Sequence, residues 1–182
     1  MKFTETFIKG LWIIEPRVIR DDRGYFFESY KQTEFEKHIG SVDFVQENES
    51  KSSLGVLRGL HYQKAPFAQS KLVRVLEGKV LDVAVDLRKT SPTFGEHCAI
   101  ELSEENKKQF FVPRGFAHGF ICLSETVVFA YKCDNYYNKE SEASIVYNDK
   151  DLNIDWHLEK EKMVLSEKDL LGPSFKNAKY FD

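Results

Sequence analysis

The sequence predicts a mainly β protein, an antiparallel jelly-roll barrel with a few short helices. Short runs of β-branched and aromatic residues follow one another at close spacing, punctuated by Gly, Pro, Asn, Asp and Ser. Before the tail, apolar residues show little of the 3.6-residue recurrence that marks a helix. The 15 Phe and 8 Tyr among 182 residues suit pleated surfaces and aromatic-walled pockets, most of them as sheet core. That length fits a single domain over residues 1–182, its core barrel spanning roughly 40–150, and buries roughly 70% of the surface its unfolded chain exposes. No repeat, low-complexity segment or linker interrupts it.

In chain order, Phe7 to Arg20 reads as one or two strands interrupted at Pro16, which marks an edge strand or a strand start. Asp21-Asp22-Arg23-Gly24 is a turn, after which Tyr25 to Tyr30 alternate as a strand. Thr33-Glu34-Phe35-Glu36 has the pattern of a capping box and Gly40 supplies a stop, giving one short helix. Phe44 to Asn48 resumes as strand and the polar Glu49 to Ser53 as loop. The stretch Val56 to Arg88 organises the rest. Lys71 to Leu76 and Lys79 to Leu87 read as two strands of a tight hairpin turning at Glu77-Gly78. Before them, Arg58, Gly59 and His61 lie in a short apolar run, so an imidazole comes close to the lysine that opens the hairpin. Ser91-Pro92-Thr93 is a turn, His97 to Leu102 a strand, and Ser103 to Lys108 a polar helical turn. Strands follow at Gln109 to Val112, His118 to Leu123, Val127 to Cys133 and Ser144 to Tyr147, then an irregular tail with a short helix around Ser166 to Leu171, ended by Gly172-Pro173.

Composition narrows the function classes. Cys98, Cys122 and Cys133 are odd in number, lie in apolar runs and lack CxxC spacing, as expected of packing residues in a reducing compartment. The N-terminal apolar run Leu11 to Ile14 is far shorter than a signal core or a membrane span, so a cytoplasmic protein without a membrane partner is expected. A net charge of −3 argues against nucleic acid as a partner and leaves any phosphate to local arginines. Dinucleotide, P-loop, zinc-protease and serine-hydrolase motifs are all missing.

The chemistry therefore rests on scattered polar residues. Pro113-x-Gly115-x-x-His118 resembles the second motif of cupins, jelly-roll proteins whose site lies inside the barrel. The first cupin motif would supply two more histidines and a glutamate, but here the run is His61-Tyr62-Gln63, which leaves a metal set incomplete; no metal ligands are assigned.

Arg58-Gly-Leu-His61, Lys71, Gly115-Phe-Ala-His118-Gly-Phe, Tyr131-Lys-Cys-x-Asn-Tyr-Tyr137 and Lys168-Asp169 together resemble the dTDP-4-dehydrorhamnose 3,5-epimerase family over essentially the whole chain. Asp22-Arg23-Gly24-Tyr25-Phe26-Phe27-Glu28 and Gln46-Glu47-Asn48 fit its substrate-binding stretches, with mild departures at Tyr25, Glu47 and Tyr62. The resemblance implies a cofactor-independent isomerase that inverts carbons 3 and 5 of dTDP-4-dehydro-6-deoxy-D-glucose. It assigns His61 as base, Asp169 as the partner that sets its tautomer, Lys71 as the cation at the enolate oxygen and Tyr131 as acid. It gives the dTDP-sugar to Arg23, Glu28, Gln46, Glu47, Asn48, Arg58, His118, Tyr137, Glu142 and Lys168, with Tyr137 stacking on thymine, and it implies a homodimer.

The residue types suit such chemistry: a group with pKa near 6.5 takes a proton next to a ketone, a cation holds the enolate charge, and a phenol returns a proton. Taken alone, His61 also reads as a hydrogen-bonded core residue, Lys71 as a solvated strand end, and Tyr131 as a barrel aromatic beside Phe129 and Cys133. A single-carbon epimerase, a ketoisomerase, a metal-dependent cupin and a sugar-binding module stay open on these residues. Strict alternation puts Arg58 and His61 on opposite faces, so a shared pocket requires an irregularity at Gly59.

Overall fold

A computed structural model describes residues 1–182. The period-two runs become β1 (Lys2–Glu5), β2 (Trp12–Glu15), β3 (Ile19–Asp21), β4 (Gly24–Phe26), β5 (Gln46–Ser53), β6 (Leu57–Gln63) and β7 (Lys71–Glu77). They continue as β8 (Lys79–Asp86), β9 (His97–Ser103), β10 (Gln109–Val112), β11 (Phe116–Cys122), β12 (Thr126–Cys133) and β13 (Glu142–Ser144), with helices α1 (Gln32–His38) and α2 (Glu167–Leu170). Two antiparallel sheets form, one ordered β1-β2-β10-β7-β12-β5 and the other β13-β6-β11-β8-β9, while β3 and β4 make a separate ribbon. The sheets face one another without closing into a continuous barrel, in the cupin-like jelly-roll arrangement expected.

Between the sheets, Val73, Val75, Phe110 and Phe129 of the six-stranded sheet meet Val80, Ala84, Phe116 and Phe120 of the five-stranded one. The tail returns across the outer face of the five-stranded sheet, packing Ile145, Tyr147, Leu152 and Trp156 against Leu81, Val83, Val85 and Ile121. Both faces of β8 and β11 are thus covered, which is why these strands are almost continuously apolar. Each fully buried Val, Leu or Phe there contributes about 1.5–3 kcal/mol. The three cysteines are free and buried, as packing residues should be.

Several expectations are corrected. Lys71 and its neighbours do form a strand, as do Lys79 and its neighbours, but β7 and β8 belong to opposite sheets and make no hairpin. Gly78, at φ 79°, turns a corner between the layers, where an added Cβ would lie 2.0 Å from the Thr126 carbonyl oxygen. Both arrangements need a positive-φ glycine between two alternating strands, so local pattern does not separate them. Glu49 to Ser53 is strand and not loop: it continues β5 along the edge next to β12, with alternate residues exposed. Helix α1 begins one residue before Thr33, with Lys31 at the N-cap and no side-chain cap. Strand β4 ends at Phe26, short of the expected Tyr30. Ser103 to Lys108 is a turn closed by the Asn106 N–H donating to Ser103 Oγ, and β13 ends at Ser144 where a strand to Tyr147 was expected.

The irregularity expected at Gly59 is present. His61 pairs with His118 and Arg58 with Phe120, so β6 holds one more residue than β11 across this interval. Gly59 sits at φ 148°, and a Cβ there would come within 2.5 Å of Gly119 Cα. The strand can make this bulge only where neither chain carries a side chain.

Candidate active site

The cleft between the open ends of the two sheets has two adjoining lobes. One, of about 560 Å³, is lined among others by Arg58, His118, Phe120, Phe129, Ser166 and Lys168. The other, of about 330 Å³, is lined by Gln46, Asn48, Gln69, Tyr137 and Glu142 among others. His61, Lys71 and Tyr131 line both. His61 comes from β6 in one sheet, and Lys71 and Tyr131 from β7 and β12 in the other, so imidazole, ammonium and phenol reach the same cleft from facing layers.

Asp169, on α2, brings Oδ1 to 2.7 Å from His61 Nε2. The oxygen lies off the axis of the ring N–H, so the contact is an electrostatic one and not an aligned hydrogen bond, and Nε2 has no other partner. Burial pushes the Asp169 carboxyl up, but the His61 ring, the Ser166 hydroxyl and the Gly59 N–H outweigh it and hold the group below its ordinary value. It stays a carboxylate beside the imidazole at neutral pH.

Lys71 sits over the Tyr131 ring, its ammonium 5.7 Å from the centroid. Burial lowers its pKa, with Cys133, Asp82 and Glu142 opposing that shift. Burial likewise raises that of Tyr131, so the ring remains a phenol at neutral pH with a proton to give. His118 lies opposite His61 across the β6–β11 pair, and its Nε2 is 2.8 and 3.0 Å from the two oxygens of Asp82. A carboxylate only accepts, so Nε2 carries a hydrogen and the tautomer is set.

The binding candidates divide. Arg58 reaches the larger lobe through the bulge and donates from Nε to Ser52 Oγ at 3.2 Å. In the smaller lobe Gln46 donates to Asn48 Oδ1 at 3.0 Å and accepts from the Tyr137 N–H at 3.2 Å. The Tyr137 hydroxyl donates to Glu142, which also pairs with Lys168. Tyr137 is 53% exposed at the rim of this lobe. Glu47 does not join them: alternation along β5 turns its side chain to the other face, where it pairs with Lys132 at 2.8 Å. Only its backbone remains on the cleft strand. Arg23, in the β3–β4 turn, is exposed and paired with Asp21, and Glu28 is 3.9 Å from Lys31; neither lines the cleft of its own chain.

Two site residues escaped the sequence reading. Asp82 is fully buried in β8, and its signal was an acid in the otherwise apolar run Val80 to Val85. Ser166 caps α2 and holds Asp169; its signal was the Ser-x-x-Asp spacing of a capping box. No three His, Cys, Asp or Glu side chains cluster so as to hold a metal ion.

Comparison with known proteins agrees over the whole length. The family model described as dTDP-4-dehydrorhamnose 3,5-epimerase matches residues 5–177. The chain is 50% identical over 182 residues to a dTDP-4-dehydrorhamnose 3,5-epimerase of Shigella flexneri, covering 100% of this chain and 99% of the relative. It superposes on the crystal structure of such an epimerase from Elizabethkingia anophelis with TM-score 0.95, at 60% identity and with 99% of each chain covered. It also resembles a dTDP-6-deoxy-D-glucose-3,5-epimerase from Legionella pneumophila in complex with dTDP-4-keto-L-rhamnose, with TM-score 0.93 and 50% identity, covering 97% of this chain and 93% of that one.

Proposed function

This chain belongs to the dTDP-4-dehydrorhamnose 3,5-epimerase family, and on that premise we propose that it inverts carbons 3 and 5 of dTDP-4-dehydro-6-deoxy-D-glucose to give dTDP-4-dehydro-L-rhamnose. Both carbons flank the C4 ketone, so each proton is acidified by the same carbonyl and one set of groups serves both inversions. His61 takes the proton from one face, and the carboxylate of Asp169 stabilises the imidazolium that results. The electron pair moves onto the C4 oxygen, where the Lys71 ammonium balances it. A lowered pKa makes Lys71 a stronger donor toward that oxygen. Tyr131 returns a proton from the other face, which inverts the carbon.

The observation that carries this reading is that His61 stands on one sheet and Lys71 and Tyr131 on the other, all lining one cleft. In this reading Arg58, His118, Gln46, Asn48, Glu142 and Lys168 hold the nucleotide sugar, Glu47 contributes through its backbone, and Tyr137 stacks on the base. Residues 1–182 act as one domain. The protein works in the cytoplasm as a homodimer, in which Arg23 and Glu28 of one protomer serve the cleft of its partner. The exposed Ile19, Tyr25 and Phe26 of the β3–β4 ribbon support that arrangement, since they leave apolar surface for another chain to cover.

The test is incubation with the keto-sugar nucleotide in deuterated water, with label read at each carbon by NMR. Incorporation at carbons 3 and 5 that is lost in His61→Asn supports the reading. Label at one carbon reduces it to a single epimerase, and no label in the wild type refutes it.

A further inference from the structure

Asp169 divides its carboxylate between two tasks. Oδ1 faces His61 and accepts from the Gly59 N–H at 3.3 Å. Oδ2 accepts from the Ser166 hydroxyl at 2.5 Å and from the Ser166 N–H at 3.4 Å, while Ser166 Oγ accepts from the Asp169 N–H at 3.3 Å. This reciprocal pair is the capping box of α2.

The helix has little else to fix it. It is four residues long, too short to hold its shape alone, and Asp169 is its only buried residue. Leu170 and Leu171 are exposed and contribute little packing. The direction in which Oδ1 points therefore depends on how Oδ2 is held, and the strongest hold is the Ser166 hydroxyl. We propose that Ser166 is a positioning residue for the epimerisation, its hydroxyl locking the rotamer in which Asp169 faces His61. The proposal rests on the reading of His61 as base. In it the helix cap and the catalytic pair share one carboxylate, so local folding of the tail and orientation of the base are a single event.

The experiment compares full-length wild type, Ser166→Ala and Ser166→Thr by deuterium incorporation kinetics, and titrates the Asp169 carboxyl in each by carbon NMR. Ser166→Ala is expected to lower kcat about tenfold, as a misaligned partner would, with KM within about twofold. The Asp169 pKa should rise, because a donor to the charged form is gone. Ser166→Thr keeps the hydroxyl at an exposed position, and it should restore kcat to within about threefold and leave the Asp169 titration unmoved. An unchanged kcat in Ser166→Ala overturns the proposal. So does an equal loss in both variants with the Asp169 titration unmoved, which would leave Ser166 a purely structural cap. Should the wild type take up no label, the underlying epimerase reading fails, while the carboxyl titration still tests the Ser166–Asp169 link by itself.

Discussion

Gly59→Ala probes the feature that brings Arg58 and His61 to one cleft. At φ 148° an alanine occupies a region open essentially to glycine, at a cost of about 1–3 kcal/mol. Its Cβ would stand 2.5 Å from Gly119 Cα and 3.2 Å from the His118 carbonyl oxygen. Both are backbone atoms of the paired strand and cannot swing aside as a side chain would, so overpacking adds about 1–3 kcal/mol. Together these are about 2–6 kcal/mol of a stability that is typically about 5–15. At about 2–4 °C per kcal/mol for a chain of this size, the expected fall in Tm is about 4–24 °C. Gly40→Ala is the control: φ is 112° but nothing lies within 4 Å of its Cβ, so it carries only the conformational part. Thermal unfolding followed by circular dichroism measures both, and deuterium incorporation is read at a temperature where both variants are folded. Gly59→Ala should lose more stability than Gly40→Ala and lose label uptake as well, since relief of the clash flattens the bulge and rotates Arg58 or His61 out of the cleft. Equal Tm values for the two variants, with wild-type label uptake in Gly59→Ala, would refute this account.

Three further outcomes are expected. His118→Ala leaves the fully buried Asp82 carboxylate without its partner and should cost about 3–5 kcal/mol in denaturant unfolding; adding Asp82→Asn should recover part of that, and no recovery would show that the buried charge was not the cause. Burial raises the Asp86 pKa, but Arg88, Ser91 and Thr93 overcome it and depress the group below its ordinary 3.8, so its stabilisation is present above that value and lost as pH falls through the lower folded one. Asp86→Asn should accordingly be less stable than wild type by about 1–3 kcal/mol at pH 7, with the gap closing below the ordinary value in a pH series of urea unfolding curves; a gap constant down to pH 2 would contradict the assignment. Light scattering at micromolar concentration should give twice the mass of the chain, and Arg23→Ala should raise KM without changing that mass; a monomer would remove the proposed route for Arg23 to a cleft.

Strand positions were legible in the sequence because burial leaves a local mark on neighbouring residues whatever they pair with: Lys79 to Asp86, covered on both faces, reads as a nearly continuous apolar run, and Thr126 to Phe129 alternates. Where the signal is polar, as in Glu49 to Ser53, the same logic missed an edge strand, since a strand with one partner needs no apolar run. The demand for an irregularity at Gly59 was also legible, because it followed from alternation and from the one residue able to break it. The motif residues His61, Lys71, Tyr131 and Asp169 could be named from the resemblance; chain position brought His61 near Lys71, but for the wrong reason, a hairpin that does not form, and the convergence of all four could not be read from spacing.

Tertiary structure decided everything that depends on which surfaces meet. It sent β7 and β8 to opposite sheets, so that Lys71 faces His61 across a cleft and not along a hairpin. It put Asp82 behind His118 and Ser166 behind Asp169, and it turned Glu47 away and left Arg23 outside. Local pattern records whether a side chain is buried, through the hydrophobic effect on that residue alone. Which partner it meets is set by pairing between segments far apart in sequence, such as Gly59 with Asp169, and that information exists only once the sheets have packed.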